Sequence, residues 1–271
     1  MALINFGKLH GFGNDYIVFE ADDLTRIENI NEFAKQACHR HTGIGGDGIA
    51  VFKRLESEAD FECRIINPDG SEAGFSGNGT RCAVAYLFYK TLWKTENLKL
   101  QTRSGIKNYQ LLKREANTFW FLAELGKPHS IKNNVLEMAN GNLSAVTLDV
   151  GNPVCAIFAD DFDAIDWRAI GAEIETHAHF SERANVVFVK TIDEANVEVR
   201  IWERGAGETA SSGTCSIAAA VASRFAGKTN EKVSVHAVGG TTEAVWREAD
   251  GEMLITGRAD LVFCGEYFSI R

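Results

Sequence analysis

The chain has 271 residues, 45% of them hydrophobic and 24% charged, with a formal net charge of −9. That is the composition of a soluble globular protein, long enough for two ordinary domains or one large one. The negative charge argues against nucleic acid or an anionic membrane as the main partner, and no apolar run approaches the ~20 residues needed to span a bilayer. The opening MALINFGKLHGFG lacks a basic segment leading into an apolar one, so no secretory signal is expected. Six cysteines are scattered with no C-x-x-C pair, and they read as free, mostly buried thiols of a cytoplasmic protein rather than as disulfides or zinc ligands.

In chain order, GNDYIVF (13–19) is a Gly-Asn turn followed by β-forming residues. GIGGDG (43–48) echoes G-x-G-x-x-G, but no clear βαβ unit surrounds it, so a nucleotide loop is not expected. RIINPDG (64–70) is a short strand entering a turn. SGNGTRCAVAYLF (76–88) is a polar, Gly-rich turn opening an apolar helix. The alternation across 98–126 is that of hairpins, and GKPHS (126–130) is the candidate linker.

The same grammar then returns. GNPVCAIF (151–158) matches GNDYIVF, RIWERGAG (200–207) matches RIINPDG, and SSGTCSIAAAVAS (211–223) matches the first Gly-rich turn and helix. Asn14 lies 62 residues before Ser76 and Asn152 lies 60 before Ser212; Arg64 and Arg200 each precede their serine by 12. Hairpin patterning resumes across 231–268, and the closing CGEYFSIR has no obvious partner in its own copy. Between the landmarks, His177-x-His179 reads as part of a solvated face, since a metal site wants further ligands.

The expected fold is α+β: two pseudo-symmetric lobes from an internal duplication, each a mostly antiparallel sheet around a central helix. The lobes are placed at 1–128 and 129–259, with the strand at about 260–271 returning to the first. A helix N-terminus presents unpaired N–H groups and the positive end of the dipole, and glycine lets an anion approach closely. Two such ends across a cleft between lobes would hold a carboxylate from both sides. Ser76 and Ser212 are also ordinary N-cap residues.

These motifs resemble the diaminopimelate epimerase family of cofactor-independent amino-acid racemases and epimerases. KLHGFGNDYIVFE, HRHTGIGGDGI, NPDGSEAGFSGNGTRC, VGNPV, ERANVVFV and ERGAGETASSGT fall in the family's order and cover nearly the whole chain. The resemblance implies an amino-acid substrate such as diaminopimelate, no cofactor and no metal, a place in lysine biosynthesis, and a possible homodimer. It assigns Asn67, Asn185 and Arg204, beside Glu203, to the distal end of the substrate, and Asn14 and Asn152 to the lining of the same cleft. The backbones of Gly77-Asn78 and Gly213-Thr214 match the cradle for the reacting carboxylate.

The family carries a cysteine before each Gly-rich helix start, one thiolate removing the α-proton and the other thiol returning one to the opposite face. Here those positions are Ser76 and Ser212, and the histidine that assists the first thiol is replaced by Val154. Glu203, matching the helper of the second thiol, remains. A serine hydroxyl does not ionise near neutral pH without an adjacent base, and Cys82 and Cys215 are expected to face the core. Three readings stand at this point: an epimerase using hydroxyl groups with a helper, one-base chemistry such as β-elimination or allylic isomerisation with Asp69, Glu72, Glu203 or Glu208 as the base, and an amino-acid-binding protein without turnover.

Overall fold

The two small-residue runs that follow Ser76 and Ser212 fold as 13-residue helices buried on nearly every side. A helix apolar all round needs cover all round, and each is wrapped by its own set of strands. In the computed structural model, which describes residues 3–268, the chain divides into two compact units: the part up to Ala123 together with the stretch from Gly257, and Glu124–Thr256.

The first unit contains β1 (Leu3–Gly11), β2 (Asn14–Glu20), α1 (Ile30–Cys38), β3 (Gly48–Arg54), β4 (Phe61–Ile66), β5 (Glu72–Ala73), α2 (Gly77–Tyr89), β6 (Asn97–Thr102), β7 (Gly105–Glu115) and β8 (Thr118–Glu124). The second contains β9 (His129–Met138), β10 (Gly141–Asp149), β11 (Pro153–Phe158), α3 (Trp167–Glu175), β12 (Asn185–Asp193), β13 (Asn196–Glu203), β14 (Gly207–Thr209), α4 (Gly213–Phe225), β15 (Lys232–Ala237) and β16 (Gly240–Trp246). The last strand, β17 (Met253–Phe268), pairs with β16 over Met253–Thr256 and with β1 over Asp260–Phe268. Residues 269–271 of the expected closing strand lie outside the described residues.

Pairing follows one order in both units. In the first, β1–β2 is antiparallel, β2–β3 parallel, β3–β4 antiparallel, β4–β6 parallel and β6–β7 antiparallel. In the second, β10–β11, β11–β12, β12–β13, β13–β15 and β15–β16 repeat that sequence of directions. The fold is α+β, with mainly antiparallel sheets that also carry parallel pairings. α2 packs on β1, β2, β3 and β4, and α4 on β10, β11, β12, β13, β15 and β16. The outer helices complete separate cores: Phe33, Ala34 and Ala37 of α1 cover Phe19 and Ile49, and Trp167 and Ile174 of α3 cover Phe188 and Val186.

The GIGGDG stretch follows a helix and precedes a strand, the reverse of a dinucleotide loop. Its amides are spent on the carbonyls at the end of α1. Gly43 N–H donates to His39 O (2.8 Å), Ile44 and Gly45 N–H to Ala37 O (both 2.9 Å), and Gly46 N–H to Cys38 O (3.1 Å). They close the orphan acceptors of a helix C-terminus and hold no phosphate. An ionic network pins the loop: Lys8 Nζ meets Asp15 Oδ2 at 2.5 Å and also bonds Gly45 O, while Arg40 reaches Asp15 (2.7 and 3.1 Å) and Asp47 (2.6 Å).

Two outcomes follow for stability. A Cβ on Gly43 would lie 2.1 Å from Gln36 O and 2.7 Å from Ala37 O, both backbone, so Gly43→Ala should cost about 2 kcal/mol or more. The check is urea unfolding, where the midpoint falls at unchanged slope. Burial alone would raise the Asp15 carboxyl, but the hydrogen bonds from Arg40 and Lys8 outweigh it and bring it down to about 2. A carboxyl lowered on folding contributes stability above its unfolded value of 3.8 and loses it as pH falls toward the folded one. The stability gap between wild type and Asp15→Asn, about 1 kcal/mol near neutrality after solvent screening of the pair, should therefore close between about pH 4 and pH 2 in urea melts.

Candidate functional site

Ser76 caps α2: its backbone is extended (φ −137°, ψ 119°) and its Oγ accepts the N–H of Gly79 at 3.1 Å. Thr80 Oγ1 donates to Ser76 O at 2.6 Å, fixing the first turn from the other side. The Tyr16 hydroxyl lies 2.8 Å from Ser76 Oγ. Asn78, fully buried in the first turn, donates from Nδ2 to Asn14 Oδ1 (3.2 Å), and Asn14 in turn donates to Asp47 Oδ2 (2.9 Å). The first unit thus gathers Asn14, Ser76, Gly77 and Asn78 at one helix start. Asn67 is tied into its own turn, its N–H to Ser71 O (2.8 Å) and its Nδ2 to Ser71 Oγ (3.0 Å).

Ser212 caps α4 in the same way, with an extended backbone and Oγ accepting the Cys215 N–H at 3.4 Å. Its own proton goes to Glu203, Oγ to Oε2 being 3.0 Å, and Thr214 Oγ1 lies 3.1 Å from Ser212 Oγ. The other oxygen of Glu203 accepts from Thr209 Oγ1 at 2.8 Å. Beside this pair the structure brings together Asn152, Asn185 and Arg204. Asn185 Oδ1 accepts the Arg204 N–H (2.9 Å), and the Arg204 guanidinium donates to Glu182 O (2.9 Å) and Asn152 Oδ1 (3.5 Å). Both asparagines are buried. In each helix the amides of the first residues, Gly77-Asn78 and Gly213-Thr214, have no intrahelical acceptor by geometry, which suits them to a carboxylate.

Matching the registers sets the two units position against position. Tyr16 pairs with Gly48 where Val154 pairs with Asn185, and Ile66 pairs with Ile49 where Trp202 pairs with Val186. Tyr16 therefore corresponds to Val154, and Asn67, one residue beyond Ile66, corresponds to Glu203. Each capping serine has one polar partner from the strands, but from a different strand. In the first unit it is Tyr16 on β2; in the second, where that position is a buried valine, it is Glu203 on β13.

The remaining carboxylates are otherwise engaged. Glu72 is bound bidentately by Arg64 (2.9 and 3.0 Å), whose hydrogen bonds hold its carboxyl below the ordinary range. Glu208 is held likewise by Arg168 (2.6 and 2.9 Å), and Asp69 accepts from Ser71 N and Oγ. Cys82 and Cys215 are fully buried. Burial pushes the Cys82 thiol up to about 12 and, with the Glu203 charge as a second cause, lifts Cys215 well above the usual thiol range. Neither supplies a thiolate near neutral pH. His177 Nε2 lies 3.1 Å from Glu137 O, and its Nδ1 accepts the His179 N–H.

Two contributors escaped the sequence reading. Tyr16 stands two residues after Asn14, so strand alternation puts both on one face, and that spacing was the available signal. Glu175, buried at the end of α3, accepts from Trp202 Nε1 and Gly205 N (both 2.8 Å) and pairs with Arg183, anchoring the turn that carries Arg204. Nothing local in EIETHAH marks it.

Comparison with known proteins identifies the family. The family profile described as diaminopimelate epimerase matches residues 6–130 and 146–262. The diaminopimelate epimerase of Pelotomaculum thermopropionicum is 34% identical over 97% of this chain and 99% of its own length; that of Moorella thermoacetica is 32% identical with the same coverage. Among solved structures, a hydroxyproline epimerase from Agrobacterium vitis superimposes with a TM-score of 0.75 at 13% identity, over 98% of this chain and 92% of that one. A PhzF-family phenazine biosynthesis protein from Bacillus anthracis gives 0.73 at 17% identity, over 99% and 100%. These two similarities concern the fold. The chain belongs to the diaminopimelate epimerase family, and with it to the isomerases.

Proposed function

We propose that the protein removes and returns the α-proton of diaminopimelate or a similar amino acid without pyridoxal phosphate, in the cytoplasm, as an epimerase-type isomerase. The observation that carries this reading is the Ser212–Glu203 hydrogen bond (3.0 Å) at a buried helix start. A carboxylate that already holds the serine proton lets the hydroxyl oxygen accept another, so the pair is a base where Ser212 alone is none. Arg204, set by Asn185 and Asn152, is the cation for the distal end of the substrate, with Asn67 as a further distal contact. The amides of Gly77-Asn78 and Gly213-Thr214 hold the reacting carboxylate, and Asn14 lines the same site. Ser76 serves the second proton transfer. The repeated pairing order supports an origin of the two units in duplication.

A second reading is favoured by the inequality of the two serines: among the described residues Ser212 has a carboxylate as its partner, while Ser76 has a phenol. One-face chemistry, exchange with retention or elimination of a β-leaving group, needs the Glu203 side alone.

The test is α-proton exchange in heavy water with diaminopimelate and a panel of amino acids, followed by NMR and chiral chromatography. Exchange with inversion supports the epimerase, exchange or elimination without inversion supports one-face chemistry, and silence with retained binding supports a binding protein. Glu203→Gln should slow exchange by about 10²–10⁴-fold, the range for loss of a general base. Arg204→Ala should weaken binding of diaminopimelate about tenfold or more by calorimetry, as loss of a charge-assisted contact does; unchanged affinity would remove Arg204 from the site.

A further inference from the structure

Ser76 has no carboxylate partner among the described residues, yet its surroundings are built to make it give a proton. A hydroxyl oxygen accepts twice and donates once. Ser76 Oγ accepts the Gly79 N–H at 3.1 Å and lies 2.8 Å from the Tyr16 hydroxyl, a contact in which either oxygen can donate and the phenol is the stronger acid. With the phenol as donor, both acceptor positions of Ser76 are used and its own proton is left to point outward. Ser212 has the opposite polarity. Its proton is committed to Glu203, and its oxygen accepts the Cys215 N–H and lies 3.1 Å from Thr214 Oγ1, a hydroxyl that can turn aside for an incoming proton.

The phenol is also held as a fixed part. Tyr16 is 6% exposed, and its ring lies in a slot that two glycines open. A Cβ on Gly48 or on Gly79 would come within 2.8 Å of Tyr16 Cε1. Gly48 is its register partner on β3, and Gly79 is the residue whose amide caps onto Ser76. One glycine in that slot thus positions both the ring and the hydroxyl it addresses.

We propose that Tyr16 is a positioning and relay residue that acts through Ser76 and makes that serine the proton donor for inversion; this rests on the isomerase reading above. On the Ser212 side the Cα–H bond breaks, the electron pair stays on the substrate carbon and its carboxylate, and the proton enters Ser212 Oγ as the serine proton passes to Glu203. On the other side the Ser76 proton bonds to the carbon as the Tyr16 proton moves to Ser76 Oγ. Glu203 ends as the acid and Tyr16 as the phenolate, and water returns one proton from the first to the second. Reference pKa values of about 4.3 for Glu and 10 for Tyr make that end state the minor one. Removal, replacement of the Glu203 proton from solvent and return through Ser212 therefore outpace delivery through Ser76, and exchange runs faster than inversion.

The experiment measures both rates, with KM, in wild type, Tyr16→Phe and a variant carrying 3-fluorotyrosine at position 16, which keeps the hydroxyl. Thermal melts and near-UV circular dichroism establish that each is folded. In Tyr16→Phe inversion should fall by about 10²-fold or more while exchange with retention and KM stay within about threefold, and fluorotyrosine should restore inversion. Inversion at the wild-type rate in folded Tyr16→Phe overturns the proposal alone, as does equal loss of exchange and inversion, or wild-type exchange with no inversion. A wild type that exchanges no α-proton with any amino acid of the panel overturns the isomerase reading, and the relay falls with it.

Discussion

A buried helix start has to close its first amides, and here one hydroxyl does so in each unit. Ser76 and Ser212 sit where the chain turns from extended to helical, and each spends an acceptor position on its own helix. That constraint fixes the oxygen to within a hydrogen bond of the helix axis. Its polarity is then decided by the remaining neighbours, Tyr16 in the first unit and Glu203 with Thr214 in the second. A cap is worth about 1 kcal/mol, a modest sum, but it orders the hydroxyl oxygen at the head of each helix. The same two positions carry the local stability and the local polarity of the helix ends.

The partners show how one scaffold is tuned at separate points. At matched positions β2 has Tyr16 where β11 has Val154, and β4 runs into Asn67 where β13 ends in Glu203. The valine is fully buried and packs as core, so the second unit draws its polar partner from the next strand but one. The first unit does the reverse, leaving Asn67 to its turn. An approximate repeat can thus keep its backbone and still give its two halves unlike hydroxyls.

Much of this was legible in the chain. Apolar periodicity and Gly-rich punctuation give the two buried helices and their first residues to the position, because a Ser-Gly start before a run of small apolar residues has few other uses. The hairpins of the later parts follow from alternation, and the failure of GIGGDG as a nucleotide loop follows from the lack of a strand before it. Side-chain partners were less accessible. Glu203 against Ser212 joins residues nine apart through a turn, within reach of a motif. Tyr16 against Ser76 spans 60 residues, and Glu175 under the Arg204 turn spans 30. Such pairs depend on register, and a sequence shows register only after its strands have been placed beside one another.

The last strand carries a consequence of another kind. β17 runs from a four-residue ladder on β16 straight into a ladder on β1, where Leu3 lies opposite Phe268. β1, already paired with β2 on one edge, gains its other partner only once residues 260–268 have been made. During synthesis the second unit can complete most of its sheet while β1 still exposes an unpaired edge, the kind of edge that invites association with other chains. Contacts of such separation are also the slow ones to form.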